Sequence, residues 1–169
     1  MDNEQKYIIK LAEEADLSRL TEIYNWAVLH SVATFDLTIR TEVEAKNWFK
    51  LHDDLFYPLY VVQFNGLIAG WGSISPFHPR PAYRQSGEFS IYLDPTFQFR
   101  GLGSMLLGHL CDKADQLGYH TLLGLITSVN YPSLRVAEKH GFKKVGHYRE
   151  VGRKFDQWLD VVVVQKHFE

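Results

Sequence analysis

The sequence predicts an α/β (α+β) domain built on one mostly antiparallel mixed sheet of about seven strands, flanked by about four helices. Strand-like and helix-like patterns follow one another in the order β-α-α-β-β-β-α-β-α-β-β. The pair Asn65-Gly66 separates two strand-like runs as a tight hairpin turn does, which makes those strands antiparallel neighbours. The 169 residues, 46% of them hydrophobic, suit a single domain that spans residues 1–169 and buries a core.

The first predicted elements are a strand and a helix. The strand lies at Tyr7–Leu11, and Asp16 suits the N-cap of the helix because its carboxylate can accept a backbone N–H. The apolar stripe of that helix has a 3.6-residue period and consists of Leu17, Leu20, Ile23, Tyr24, Ala27 and Val28.

A second helix follows after a polar segment. Thr41 and Glu44 have the spacing of a capping box, which predicts a helix that continues to about His52. Residues 31–40 between the two helices then form a loop, which is free to line a pocket.

Three strands are predicted in the middle of the chain. Two of them, Leu59–Phe64 and residues 67–75, flank the Asn-Gly turn, since both central residues of a type I′ turn need a positive φ angle. Residues 87–93 alternate well enough for the third, and Pro95 ends it because proline has no N–H for the ladder.

The last third of the chain returns to helices and strands. Residues 103–117 form an amphipathic helix, with Gly118 as its C′ residue. The remaining elements are a short strand, a short helix that ends before Gly141, and two final strands, at 122–126, 133–140, 145–149 and 158–167.

Composition excludes several classes of function. Eighteen Lys+Arg against 20 Asp+Glu give a net charge of −2, so no overall positive field attracts nucleic acid. The one cysteine, Cys111, excludes an intramolecular disulfide and a cysteine-based metal site, and the histidines show no ligand-type spacing, so no metal is predicted. With no apolar run near the ~20 residues that span a bilayer, we expect no membrane partner and a cytoplasmic location.

The segment from Leu93 to Ser104 indicates an anion site. A strand ends there, a glycine-bearing loop turns, and a helix begins, whose unpaired N–H groups carry partial positive charge. Spacing alone fits an ordinary turn equally well. A Rossmann fingerprint is excluded because Leu106 stands at the third glycine position, and the Gly-Lys-Ser/Thr of a Walker loop is absent.

The motif Gln-x-x-Gly-x-Gly at Gln98, with Asn130 and Ser133 further along, resembles the GNAT superfamily of acetyl-CoA-dependent N-acetyltransferases. Further motifs resemble the phosphinothricin and methionine sulfoximine N-acetyltransferase family within it. They are Thr34-Phe35, Arg80-Pro81-Ala82-Tyr83 followed by Glu88, Asn130-Tyr131-Pro132-Ser133-Leu134-Arg135, and Gly152-Arg153-Lys154 before Trp158-Leu159-Asp160. The likeness covers nearly the whole chain and implies the GNAT fold, in which two strands splay apart to hold acetyl-CoA.

The resemblance implies a set of residues that bind acetyl-CoA, the expected co-substrate. The loop amides that would cradle the pyrophosphate belong to Gln98, Phe99, Arg100, Gly101, Leu102, Gly103 and Ser104. The backbone of Ile91, Tyr92 and Leu93 would pair with the pantetheine arm. Asn130 and Ser133 would hold the other side of that arm.

The resemblance also implies that Glu88 is the general base. An α-amino group with a pKa near 8 must lose a proton before its nitrogen can attack a thioester, and a carboxylate in a partly apolar pocket can accept that proton. By its sequence neighbours alone, Glu88 fits a solvated outward position better, and the motif with Arg80 and Tyr83 favours the catalytic role instead.

Three residues match family positions that bind the acceptor. Arg80 would grip its anionic end, because a planar guanidinium donates two parallel hydrogen bonds to a carboxylate or phosphinate. Phe35 and Tyr83 would supply apolar walls. The alternatives are a surface arginine in a proline-rich loop and ordinary packing aromatics.

One position departs from the family. Ala137 stands where relatives offer a tyrosine or histidine that protonates the leaving thiolate. Because a CoA thiol has a pKa of about 8.5, such an acid helps without being essential, and water, Tyr131 or His140 could replace it.

The function that the resemblance implies is acetylation of the α-amino group of a small amino acid or analogue by acetyl-CoA. Acetylation of another amine, such as a polyamine, an aminoglycoside or a protein N-terminus, is the alternative within this class, and a non-catalytic acyl-CoA sensor is the alternative outside it. A homodimer is implied by the family, with the apolar run at residues 161–164 as a possible contributor. That run fits an internal sheet strand equally well.

Overall fold

The computed structural model describes residues 7–53 and 55–169. These residues form one seven-stranded sheet and four α-helices, as the sequence predicts. The strands are β1 Tyr7–Leu11, β2 Leu59–Phe64, β3 Leu67–Pro76, β4 Ser86–Leu93, β5 Thr121–Thr127, β6 Lys143–Lys154 and β7 Gln157–His167. The helices are α1 Leu17–His30, α2 Glu42–Phe49, α3 Leu102–Gln116 and α4 Tyr131–Lys139.

The sheet has the order β1-β2-β3-β4-β5-β7-β6, and its neighbours are antiparallel except for β4 and β5. The parallel pair is short, because Ser86, Gly87 and Glu88 alone pair with residues 121–123. Beyond them β4 continues to Leu93 and β5 to Thr127 with no register pair between the two strands. The predicted strand splay is therefore present between β4 and β5.

The two faces of the sheet carry separate cores. Alternate residues of a strand face opposite sides, and on β4 Phe89, Ile91 and Leu93 pack into the core beneath α3 and α4. Tyr92 packs into the second core, beneath α1 and α2. Glu88, four residues before Tyr92, consequently lies on the α1 and α2 side of the sheet.

The helix starts agree with the sequence only in part. Thr41 and Glu44 form the predicted capping box, in which the Glu44 N–H donates to Thr41 Oγ1 over 3.3 Å. Asp16 is the N-cap residue of α1, as predicted, but its side chain makes no capping hydrogen bond to the helix. Its carboxylate instead accepts the N–H of Glu13 over 2.9 Å and pairs with Lys10 over 3.0 Å, within a 3-10 turn that precedes the helix. The charge of Lys10 and the tighter turn together keep this carboxylate away from the helix amides.

Two predicted boundaries differ from the structure. Helix α2 ends at Phe49, because the N–H groups of Leu51 and His52 bond three residues back, to Trp48 and Phe49, and so close a turn. Strand β6 runs from Lys143 to Lys154, far beyond the predicted 145–149, and reaches β7 through a turn at Phe155 and Asp156. Both turn residues have positive φ angles, of 50° and 57°, although neither is glycine.

The apolar run at the end of the chain lies inside the sheet. Strand β7 has β5 on one side and β6 on the other. Its four valines, Val161, Val162, Val163 and Val164, are buried by this chain itself. The internal-strand alternative is therefore the one observed.

Candidate active site

The predicted phosphate loop joins β4 to α3 at the open end of the splay. Gly101 is the N-cap of α3 and has a φ angle of +81°, which a residue without Cβ adopts at no steric cost. Phe99 also has a positive φ angle, of 60°. The first amide of this segment that donates to a carbonyl belongs to Met105, over 3.0 Å to Gly101.

The loop therefore presents a row of free donors. No backbone amide from Gln98 to Ser104 donates a hydrogen bond within the described chain. The loop is anchored from below, because the side chain of Leu102 is fully buried in the core of α3. A row of unpaired N–H groups at a helix N-terminus suits a phosphate or pyrophosphate.

Two side chains of this loop have partners of their own. The guanidinium of Arg100 lies 5.6 Å from the ring centre of Phe64 and 5.7 Å from that of Phe97. Ser104 Oγ lies 2.9 Å from His140 Nε2. Ser104 can therefore offer its amide to an anion while its hydroxyl is engaged elsewhere.

The other side of the splay is formed by the end of β5 and the start of α4. Asn130 lies three residues after the end of β5, and its Oδ1 accepts the N–H of Ser133 over 3.4 Å, which caps α4. Helix α4 thus begins at Tyr131, two residues before the predicted start. The predicted cofactor residues of β4 and those of α4 accordingly lie on opposite sides of the splay.

Glu88 lies at the last register pair before β4 and β5 separate. Its carboxylate makes no hydrogen bond or ion pair with any residue that the structure describes. Burial raises its pKa above the ordinary value for a glutamate. A partly buried carboxylate without a fixed partner can gain and lose a proton, as a general base must.

The loop of residues 31–40 covers the same face of the sheet as Glu88, and side chains from three strands hold it there. Thr127 of β5, Tyr92 of β4 and Lys154 of β6 donate to three consecutive carbonyls, those of Val32, Ala33 and Thr34. The ammonium of Lys154 donates over 2.7 Å, and the residue is 3% exposed, so burial lowers its pKa.

Phe35, the first predicted acceptor residue, is fixed by this loop. Its half-buried ring packs directly against the backbone of Gly152 on β6, since a Cβ at that glycine would lie 2.1 Å from Phe35 Cε2. The sequence pattern pairs Thr34-Phe35 with Gly152-Arg153-Lys154, and the structure brings these two motifs into contact.

Arg80 and Tyr83 lie apart from Phe35, on the turn between β3 and β4. Arg80 is exposed, and its guanidinium has no hydrogen bond or ion pair among the described residues. Tyr83 is 40% exposed and contacts the rings of Phe77 and His78, with centroids 5.8 and 4.8 Å away. The turn adjoins Glu88 through the β3–β4 ladder, in which Glu88 pairs with Ser75.

The position of the missing acid is buried. Ala137 is 0% exposed and packs in the core, and its methyl group has no proton to give. Tyr131 is 61% exposed at the start of α4. His140 is engaged with Ser104, and burial together with the charges of Lys139 and Lys166 lowers its pKa.

Sequence reasoning missed several groups on the Glu88 face. His52 and Ser75 form a hydrogen bond of 3.2 Å across 23 positions of the chain. Lys154 binds Thr34 across 120 positions. No local pattern signals such contacts, because they depend on strand register and on how helices pack over the sheet.

Other groups in the described residues form no further centre of chemistry. No cluster of three or more His, Cys, Asp or Glu residues suitable for a metal ion occurs among them. Cys111 is buried, which raises the pKa of its thiol to about 11. None of the described helices combines the length and apolar character that a membrane span requires.

Comparison with known proteins gives one consistent result. The model of the acetyltransferase (GNAT) domain family matches residues 9–163. The L-methionine sulfoximine/L-methionine sulfone acetyltransferase of Salmonella typhimurium is 36% identical over 158 residues, 93% of this chain and 92% of that protein. The phosphinothricin N-acetyltransferase of Streptomyces coelicolor is 37% identical over 151 residues, 88% of each chain.

A solved structure agrees with these relatives. The GNAT superfamily phosphinothricin acetyltransferase of Sinorhizobium meliloti, in complex with acetyl-CoA, superimposes with a TM-score of 0.93 at 32% identity. The match covers 96% of this chain and 88% of that one.

Proposed function

Because the chain belongs to the acetyltransferase (GNAT) domain family, we propose that it transfers the acetyl group of acetyl-CoA to the α-amino group of a small amino acid or analogue, of the phosphinothricin or methionine sulfoximine type. The names of the relatives support this acceptor class. The observation that carries the proposal is the position of Glu88, a carboxylate with a raised pKa at the point where β4 and β5 separate.

The residues around the splay fit acetyl-CoA. The free amides from Gln98 to Ser104 supply donors for its pyrophosphate. Strand β4 has no strand partner after Glu88 on its β5 side within the described residues, so the backbone of Ile91, Tyr92 and Leu93 can pair with the amides of the pantetheine arm. Asn130 and Ser133 would contact that arm from the α4 side.

Glu88 performs the proton transfer in this mechanism. An amino acid arrives as an ammonium ion, and the Glu88 carboxylate removes one proton, directly or through a water molecule. The nitrogen then attacks the thioester carbonyl, and free backbone N–H groups on the open side of β4 stabilise the negative charge that develops on the oxygen. The carbon–sulfur bond then breaks, and the second proton of the nitrogen passes to water or to the departing thiolate. None of these steps requires a metal ion.

The leaving group explains why Ala137 is tolerable. A thiol with a pKa of about 8.5 departs as a thiolate near neutral pH at small cost, so a protein acid is not required. Water at the exposed start of α4 can protonate the thiolate after it leaves.

The acceptor side chain and carboxylate would be bound from two directions. Phe35 would provide an apolar wall from the 31–40 loop, and Tyr83 a second one from the turn before β4. Arg80, whose guanidinium is free among the described residues, would bind the carboxylate or phosphinate. We further propose a homodimer, on the strength of the family resemblance, and a cytoplasmic location, on the strength of the sequence pattern.

The experiment that tests the function is release of free thiol from acetyl-CoA by the purified protein. The panel of acceptors is methionine sulfoximine, phosphinothricin, each standard amino acid, a polyamine and an aminoglycoside. Thiol release with amino acids or their analogues supports the proposal. Release with the polyamine or aminoglycoside alone would replace the acceptor class, and acetyl-CoA binding without release by any amine would indicate a sensor.

A further inference from the structure

Ser75 is the side chain that faces Glu88 across the β3–β4 ladder. The two residues are direct register partners, and such partners carry their side chains on the same face of an antiparallel pair. Their Cβ atoms are then separated by about 4.5–5.5 Å. A small molecule whose amine reaches Glu88 therefore also reaches the hydroxyl of Ser75.

His52 determines how that hydroxyl is oriented. His52 Nδ1 lies 3.1 Å from the carbonyl oxygen of Trp48, and a carbonyl can only accept, so Nδ1 carries the ring proton. His52 Nε2 lies 3.2 Å from Ser75 Oγ. In the neutral ring Nε2 has a lone pair, and the Ser75 hydroxyl must donate to it.

The neutral state of His52 is favoured by its surroundings. The ring is half-buried against the indole of Trp48, with centroids 4.6 Å apart, and burial lowers its pKa. The hydrogen bond to the Trp48 carbonyl and the charge of Asp53 oppose this shift of the pKa, and the charge of Arg40 adds to it. The hydrogen of the Ser75 hydroxyl is thus committed to His52, and only oxygen lone pairs remain for the Glu88 side.

We propose that Ser75 is a second hydrogen-bond acceptor for the amine of the acetyl acceptor, and that His52 is the positioning residue that keeps Ser75 in its accepting orientation. This inference rests on the proposed acetyltransferase function. Glu88 takes one proton from the ammonium group, and a second N–H donates to Ser75 Oγ. The nitrogen forms its bond to the acetyl carbon, the carbon–sulfur bond breaks, and the thiolate leaves. The second proton that the nitrogen loses as the amide forms passes to the thiolate or to water.

The hydroxyl and the imidazole exchange no proton in this scheme. Their effect is geometric, because two acceptors fix two N–H directions of the ammonium and so hold the nitrogen beside Glu88, where the splay begins. The Ser75 hydroxyl and the Glu88 carboxylate both offer lone pairs and no donor. Such a pair of acceptors suits a cationic ammonium, which only donates.

The test uses steady-state kinetics of the full chain with acetyl-CoA and methionine sulfoximine. We expect Ser75→Ala to lower kcat/KM for the amine about tenfold, the loss typical of one hydrogen bond to a charged group. The KM for acetyl-CoA should not change. Ser75→Thr, which keeps a hydroxyl, should retain most of the activity.

His52→Phe separates positioning from packing. Phenylalanine keeps an aromatic ring beside Trp48 and removes the acceptor nitrogen, so the Ser75 hydroxyl is free to rotate. We expect kcat/KM for the amine to fall in this variant by nearly as much as in Ser75→Ala. Because His52 acts through Ser75, the double variant should lose no more than Ser75→Ala alone.

Ser73→Ala is the matched control. Ser73 is two residues earlier on the same face of β3, pairs with Ser90 and makes no hydrogen bond to His52. We expect the kcat/KM of this variant to equal that of the parent, since Ser73 faces neither Glu88 nor His52.

Two results would overturn the inference while the proposed function stands. One is a parent chain that acetylates methionine sulfoximine together with a Ser75→Ala variant that does so equally well. The other is a double variant whose loss of kcat/KM equals the product of the two single losses. His52 and Ser75 would then act independently of each other. If instead no amine of the panel causes the parent chain to release thiol from acetyl-CoA, the proposed function itself is overturned.

Discussion

Burial raises the pKa of Glu88, and this shift has opposite consequences for catalysis and for stability. The proposed base must be deprotonated to act, so kcat/KM should rise with pH through the raised pKa and level off above it. Replacement by the neutral isostere glutamine removes both the base and this pH-dependent rise.

Glu88→Gln should lower kcat about 100-fold, the usual order for loss of a general base. Binding of acetyl-CoA should be nearly unchanged, because Glu88 belongs to the acceptor side. Turnover at several pH values and a separate titration with acetyl-CoA measure the two effects. Unchanged turnover across the pH range would remove Glu88 from the proposed role.

The same variant should be more stable than the parent at neutral pH. A pKa that is raised in the folded state favours folding below the unfolded pKa, and this contribution is lost as pH rises through the folded pKa. At pH 7 the parent therefore buries a charge that glutamine avoids, whereas near pH 4 both side chains are neutral. We expect the gain in Tm to shrink on acidification, and a gain that persists at pH 4 would contradict this explanation.

Arg80 is an exposed side chain without a partner among the described residues, so its removal tests binding with little risk to folding. Arg80→Ala should raise the KM of a carboxylate-bearing acceptor about tenfold, in keeping with loss of a charge-assisted hydrogen bond. Acetyl-CoA should bind as before. The control is the matching amine without its carboxylate, whose KM should not move; an equal loss with both substrates would make Arg80 structural.

At the scale of elements, short sequence motifs predict the helix caps and turns that nearby residues form among themselves. The Thr41 capping box and the Asn65-Gly66 turn, with φ angles of 48° and 83°, lie where the sequence places them. The β6–β7 turn carries no such motif, because Phe155-Asp156 contains neither glycine nor asparagine. Its two positive φ angles accompany the pairing of β6 with β7.

The candidate site was predictable to the same extent. Glu88 and Phe35 belong to motifs that can be recognised in the sequence, and the structure places both on one face of the sheet. The contacts of Lys154 with Thr34 and of His52 with Ser75 join distant positions, and the β2–β3 bulge at residues 62–63 alters register in a way that alternation alone does not reveal. Long-range register is therefore the part of the site that sequence patterns leave open.

The contact between β6 and the 31–40 loop gives an element-scale prediction. A methyl group in Gly152→Ala would lie 2.1 Å from Phe35 Cε2, so the ring must move. If Phe35 is a wall of the acceptor pocket, the KM of the acceptor should rise roughly tenfold, since a misplaced apolar wall costs about 1–2 kcal/mol. The KM of acetyl-CoA should stay the same.

Gly146→Ala is the matched control on the same strand. Its methyl group would contact Val163 at 3.5 Å, an ordinary van der Waals distance, so the site should be undisturbed. Equal KM values for the acceptor in the Gly152→Ala variant and the parent would show that Phe35 does not line the acceptor pocket.

At the scale of the whole molecule, the sheet consists of two parts joined by a short seam. Strands β1 to β4 form one part and β5, β7 and β6 the other, and the seam between them has three register pairs. Acetyl-CoA bound in the splay would contact β4 and the phosphate loop on one side and α4 on the other. Binding should therefore stabilise the chain as a unit, through contacts that neither part makes alone.

Thermal unfolding with acetyl-CoA tests this view. At a ligand concentration about 100 times Kd, binding to the native state adds about 2.7 kcal/mol to the free energy of unfolding, which corresponds to a rise in Tm of roughly 5–10 °C for a chain of this size.

Gly101→Ala and Gly66→Ala form a matched pair, because both glycines have positive φ angles, of 81° and 83°, and open space around them. Each variant should lose about 1 kcal/mol of stability from the same backbone strain. The ligand-induced rise should shrink in Gly101→Ala, where strain displaces the amides of the phosphate loop, and should be complete in Gly66→Ala, where the strain lies in the β2–β3 turn. An equal rise in both variants would place the bound pyrophosphate away from the Gly101 loop.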